Sequence, residues 1–200
     1  MRNVNFSKYL GEGLLIVFSV LFALFINRWA ENRQTEERKD IAIEGIRQEL
    51  YRNSGIIKDW TFTHSKIVER LENILNGNDD SLKTTLAGKD YLDLDILIQE
   101  ETLFNAILSD TAWESAKSTG IMSEFDFRLT QELTRTYTMQ EVFSDRTIMN
   151  LIDLFFDRDI HDMDNLEGNL RALSMRMAEL HAQEKTLQHF YTESIKALNQ

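Results

Sequence analysis

Two hundred residues carry a formal net charge of −11, with 8 glycines, no proline and no cysteine. An average chain of this length holds about ten prolines, so the composition argues for long unbroken helices and against a sandwich or barrel. The missing cysteines exclude a disulfide framework, a thiolate nucleophile and any Cys-ligated zinc or iron–sulfur site.

The charge is uneven. Residues 1–30 hold Arg2, Lys8 and Arg28 against Glu12, a net of +2, which leaves −13 for the other 170 residues. An acidic surface of this kind repels phosphate backbones, and no basic stripe with interleaved aromatics is present, so nucleic acid is not an expected partner.

Residues 1–8 form a short arm. From Gly13 to Ile26 the chain reads GLLIVFSVLFALFI, apolar on every helical face except at Ser19. Counting from Tyr9 to Trp29 gives 21 residues, about 30 Å of helix, the thickness of a bilayer core. Tyr9 and Trp29 are expected as interfacial anchors, with Lys8 and Arg28 reaching outward. A buried core helix and a cleaved signal peptide are the alternatives. The exit Phe25-Ile26-Asn27-Arg28-Trp29 lacks the small residues of a cleavage site, which favours an uncleaved anchor. Counting positive charges on the two sides does not decide orientation.

Glu12 lies one turn inside this span. It is either a proton-binding or pore-lining group or, in the plainer reading, a first-turn carboxylate that favours the helix dipole and reaches the headgroups. Gly11 and Gly13 flank it, and Ser19 and Ala23 stand four apart, a small-residue face suited to close helix contact and hence to a homo-oligomer.

The run Gly11-Glu12-x-x-Leu15-x-Val17, continued by Ala23-Leu24-x-Ile26-Asn27-x-Trp29-x-Glu31, resembles the N-terminal signature of an uncharacterised bacterial family common in Bacteroidetes. A second echo is Thr111-Ala112-Trp113-x-x-Ala116-x-Ser118-Thr119-Gly120, continuing to Leu129, Leu133 and Tyr137. The chain departs from the pattern at Ser19, usually Gly, and at Phe25, often Gln. The resemblance implies one N-terminal span and a helical domain, anchored in the bacterial inner membrane with the domain on the periplasmic side. It implies no activity.

Beyond Trp29 nothing breaks the helix, so residues 30–76 are expected to continue it outward. Ile43, Ile46, Leu50, Asn53, Ile57, Trp60, His64, Ile67, Leu71 and Ile74 alternate steps of three and four, the mark of a helix burying one seam. Gly77-Asn78-Asp79-Asp80 ends it. Residues 77–122 read as short helices and loops. Tyr91–Ile98 alternates like a strand but has no partner to pair with. Ser109 or Asp110 is expected to cap a helix ending at Gly120. Residues 123–200 supply two long helices. The first is opened by Ser123-x-x-Asp126 and carries Leu129, Leu133, Tyr137, Phe143, Ile148, Ile152 and Phe156. The second carries Met163, Leu166, Leu170, Leu173, Met177, Leu180, Glu184, Leu187, Tyr191, Ser194 and Leu198. The expected architecture is all-α: a transmembrane helix continuing into an elongated antiparallel bundle with coiled-coil-like seams.

Four polar residues interrupt those seams. Asn53, His64, Glu184 and Ser194 fix register or oligomeric state in one reading, and His64 in another is a pH-responsive switch; the ordinary reading is a hydrogen-bonded seam residue. Asp153, Asp157, Asp159, Asp162, Asp164 and Glu167 crowd one turn beside His161. Without an EF-hand glycine they read as a solvated acidic turn rather than a calcium site. His161, His181 and His189 are not spaced as zinc ligands. Trp60 and Trp113 read as packing groups. Phosphate loops, nucleophile elbows, dinucleotide fingerprints and zinc-protease motifs are missing. No catalytic, metal or cofactor-binding residue is assigned. The expected object is a membrane-anchored, self-associating interaction protein without catalytic activity, partnered by the lipid bilayer, by its own copies and by proteins that meet its acidic bundle. An oligomeric pore and a membrane-tethered ligand-sensing module are the alternatives.

Overall fold

A computed structural model describes the backbone of residues 6–99 and 102–199, with side chains from residue 12 onward. All regular structure in these residues is helical, and the protein is all-α. The elements are α1 (Phe6–Leu75), α2 (Asp80–Ala87), α3 (Leu94–Ile98), α4 (Thr111–Ser118), α5 (Phe127–Val142), α6 (Met149–Phe156) and α7 (Leu166–Leu198).

α1 runs unbroken for 70 residues, about 105 Å at 1.5 Å per residue. Its apolar N-terminal part and its heptad part are therefore one rod. The helix stops where expected. Gly77 takes a φ of 72°, Asn78 N–H donates to Asn73 O (2.8 Å) and Gly77 N–H to Ile74 O (3.3 Å). This paired closure requires a left-handed residue, which glycine adopts without strain.

α7 lies antiparallel along α1. Arg47 near the start of the seam donates to Leu198 O at the end of α7 (2.7 Å), and His64 further along meets the earlier Glu184. Each seam position from Ile46 to Ile74 is buried, as is each from Leu170 to Leu198. The two seams are thus consumed against one another and against α5, inside a single chain. α5 continues through a π turn (Phe143–Ile148) into α6.

Several expectations shift. The strand-like run contains α3, opened by Asp93, whose carboxylate accepts from Asp95 N–H. Residues 102–110 hold no helix at all. Ser123 does not open α5; it sits in a 3₁₀ turn, and Asp126 is the cap, accepting from Arg128 N–H (2.8 Å) and Leu129 N–H (3.3 Å). Met163 belongs to a 3₁₀ turn before α7. Beyond Tyr137 the buried stripe passes through Phe143, Thr147 and Leu151, leaving Ile148 and Ile152 half-buried and Phe156 86% exposed. A π turn carries an extra residue, so strict α-helical spacing no longer indicates which side chains point inward.

Candidate functional site

The polar interruptions of the first seam converge on residues 102–110, an irregular strap that lies outside any helix. Buried backbone groups must find partners somewhere, and side chains of α1 provide them. Asn53 engages both backbone groups of Ser109: Nδ2 donates to Ser109 O (2.6 Å) and Oδ1 accepts from Ser109 N–H (3.0 Å). Trp60 Nε1 donates to Asn105 Oδ1 (2.8 Å), and His64 Nε2 reaches Leu103 O (2.9 Å). Arg70 Nη1 donates to Leu97 O (3.0 Å) and Ile98 O (3.3 Å) just upstream. Asn53 and His64, singled out as candidate switch residues, are both fully buried clasps on this strap.

Glu49 completes the clasp. Its carboxylate accepts from Ser109 Oγ (2.7 Å), Tyr137 OH (2.7 Å), Ala112 N–H (2.9 Å) and Trp113 N–H (3.4 Å). Asp110 occupies the cap position of α4 but makes no side-chain cap bond, so the N-terminal amides of α4 are answered by a carboxylate from α1 instead. An anion there is also favoured by the helix dipole. Ser109 contributes a weaker bond, its Oγ accepting from Thr111 N–H at 3.3 Å. Glu49 lies one residue off the heptad stripe. From sequence it is indistinguishable from a solvated flanking charge; its position one turn before Asn53 is the only hint.

The network spreads across the bundle. Gln140 Oε1 accepts from Asn53 Nδ2 (3.1 Å) and Tyr191 OH (2.7 Å), while Gln140 Nε2 donates to Ser109 O (3.2 Å). Tyr137 stacks on Trp113, ring centroids 4.9 Å apart. Burial, and then Glu49, push both Tyr137 and Tyr191 well above the usual phenol range, so both remain neutral donors. Ser194 pairs with Thr136 (2.7 Å).

His64 and Glu184, each predicted to interrupt a seam, meet one another. Nδ1 and Oε1 are 2.5 Å apart with both side chains fully buried. Leu103 O can only accept, so His64 Nε2 is the donor in that bond, which leaves Nδ1 facing the Glu184 carboxylate. The other carboxylate oxygen, Oε2, lies 3.7 Å from His181 Nδ1, and neither atom has a hydrogen-bond partner. Burial first, and Lys185 second, hold His181 below the ordinary histidine value against the opposing pull of Glu184.

The strap walls a cleft of about 780 Å³. α5, the π turn and α6 supply the rest of its wall, with Gln140, Glu141, Asp145, Ile148 and Ile152 in the lining. Trp60 and Trp113 both line it while serving the core, so packing and a cleft wall are two faces of the same rings.

At the N-terminal end of α1, none of the apolar window that begins at Glu12 is buried. Eleven large apolar side chains from Leu14 to Ile26 are about half to two-thirds exposed, from 49% to 68%. Trp29 is exposed with the Arg33 guanidinium over its ring at 5.6 Å, and Arg28 is exposed beside it. Ser19 Oγ donates to Leu15 O (2.8 Å), Gly13 has open space around it, and Glu12 and Ala23 are exposed. The side chains of Lys8 and Tyr9 and the surroundings of Gly11 lie outside the described residues. α1 is the one helix among the described residues long and apolar enough to cross a membrane.

The acidic turn serves its own backbone. Asp157 accepts from Asp159 N–H (3.0 Å) and Asp162 from Asp164 N–H (3.1 Å), while Glu167 pairs with Arg171 (2.8 Å). Among the described residues no three His, Cys, Asp or Glu side chains are grouped to hold a metal ion. No family model matches the chain, and no curated protein or solved structure matches it either.

Proposed function

We propose that this protein is a single-span, membrane-anchored helical interaction protein that self-associates and works without catalysis, its acidic bundle meeting partners at the membrane surface. One observation carries the reading. The run Leu14–Ile26 is covered by nothing in its own chain although the bundle has a core of its own. Each large apolar side chain left in water rather than buried forfeits about 1.5–3 kcal/mol, and a bilayer is the medium that recovers this on all faces of a helix at once. The inner membrane and a periplasmic bundle are the proposed location.

Self-association is assigned to the anchor rather than to the seams. The heptad positions are already occupied within one chain, whereas Ser19 and Ala23 present small side chains on an uncovered face. Flotation with liposomes after alkaline extraction tests the anchor: the full chain is expected to float, and recovery in the soluble fraction overturns the proposal. Cross-linking or native mass spectrometry in detergent tests the oligomer, which a strictly monomeric protein refutes.

The cleft beside the strap supports a second reading, a membrane-tethered ligand-sensing module, in which a bound molecule changes how the strap is held. A pore has less support, because the Ser19 hydroxyl is satisfied within its own helix and needs no lumen. Proton or ion flux through reconstituted protein, altered by Glu12→Ala, is the result that would reinstate it.

A further inference from the structure

The cleft between the strap and the π turn has a definite chemical character. Its volume, about 780 Å³, falls in the range of roughly 300–1,000 Å³ common for small-molecule sites. Phe104, Ile107, Met122, Ile148 and Ile152 give it an apolar interior. Ile107, which also lines the cleft, is 84% exposed on the strap.

The charges lining it are of one sign once internal pairs are removed. Lys117 is the only cation in the lining, and it is held by Glu114 at 2.7 Å. That leaves Asp110, Glu141 and Asp145, all exposed and none in an ion pair among the described residues. A further polar group stands in the wall. Gln140 is 5% exposed, and its amide nitrogen has two hydrogens but a single acceptor, Ser109 O. The second hydrogen is left for a group entering the cleft, since a buried donor without an acceptor is costly.

We infer that this cleft binds a small molecule with an apolar or aromatic body and a cationic amine. The body fills the space against Phe104 and Ile107. The ammonium group stands at the mouth among Asp110, Glu141 and Asp145, and an acceptor on the body, where there is one, takes the free hydrogen of Gln140. A neutral molecule of the same shape gains the apolar contact alone, and an anion is repelled by all three carboxylates. The inference names the ligand class for the sensing reading above and is independent of the anchor.

Three probes sharing one ring system separate the possibilities: 2-naphthylmethylamine, 2-naphthalenemethanol and 2-naphthoate. Each is titrated calorimetrically into the full chain in phosphatidylcholine nanodiscs, with empty discs subtracting lipid partitioning. Partly exposed charge pairs are worth roughly two- to fivefold each, so the amine is expected to bind about tenfold more tightly than the alcohol, and the naphthoate most weakly. The double variant Glu141→Gln/Asp145→Asn, both positions being exposed and free of structural bonds, is expected to bring the amine down toward the alcohol while leaving thermal unfolding unchanged. Equal affinity for all three probes, or an amine affinity untouched by the double variant, overturns the cationic class but leaves a sensing cleft. No binding by any probe overturns both.

Discussion

α1 contains two stretches that solve opposite problems on one unbroken helix. From Leu14 to Ile26 it is apolar on every face and buried on none; from Ile46 to Ile74 it is apolar along one stripe and buried along all of it. The first has no internal partner and no polar network. The second is interrupted by Asn53 and His64, and those interruptions hold an irregular strap in place. A helix that must satisfy a uniform solvent can be monotonous, whereas a helix that must position a loop needs specific polar groups at chosen points of its stripe.

Substitutions that separate the two stretches test this contrast. The largest effect is expected from Val17→Arg combined with Leu21→Arg, since an arginine near the centre of a spanning helix costs about 2.5–3.5 kcal/mol. The double variant should fail to float with liposomes while the bundle melts as before; a shifted melt would mean that the stretch packs on protein. Glu49→Ala is next. It strands Ser109, Tyr137 and two α4 amides at once, and a loss of about 3–5 kcal/mol is expected in chemical unfolding, with membrane binding untouched. Leu50→Ala removes a fully buried side chain and should cost about 2–5 kcal/mol. Leu24→Ala, in the exposed stretch, should leave the same unfolding curve in place within about 0.5 kcal/mol.

The smallest effect is one of pH. The fold lowers the proton affinity of His181, whose ordinary value is 6.5. A group whose folded value is depressed stabilises fully above its unfolded value and loses that contribution as pH falls through the window below 6.5. Lys185 deepens the depression, while Glu184 opposes it. Thermal unfolding of the wild-type chain should therefore weaken on acidification from neutral pH, and His181→Gln should flatten that part of the curve. An unchanged slope in the variant would remove His181 as the source.

Much of the fold was legible because periodicity reports burial directly. The seam positions in α1 and α7 were readable as alternating steps, and all but those at their outermost ends are fully buried. The stop at Gly77 was legible because one residue type suits that backbone. The strap was not. Residues 102–110 carry no periodic pattern, and their conformation is set by bonds to Asn53, Trp60 and His64, from 39 to 56 positions away in the chain. Glu49 was missed for the same reason: a carboxylate beside a stripe looks solvated until the α4 amides are seen over it. The grouping of Asp110, Glu141 and Asp145 on the cleft has no sequence signal either, because folding alone brings them to one lining.

By itself the sequence determined the helical class, the apolar run and the two seams, because each follows from side-chain spacing on a regular backbone. Only the tertiary structure decided what the polar interruptions do, that the seams close on one another within one chain, and that a cleft opens beside the strap. Those outcomes depend on contacts between residues far apart in the chain, and local spacing carries no record of them.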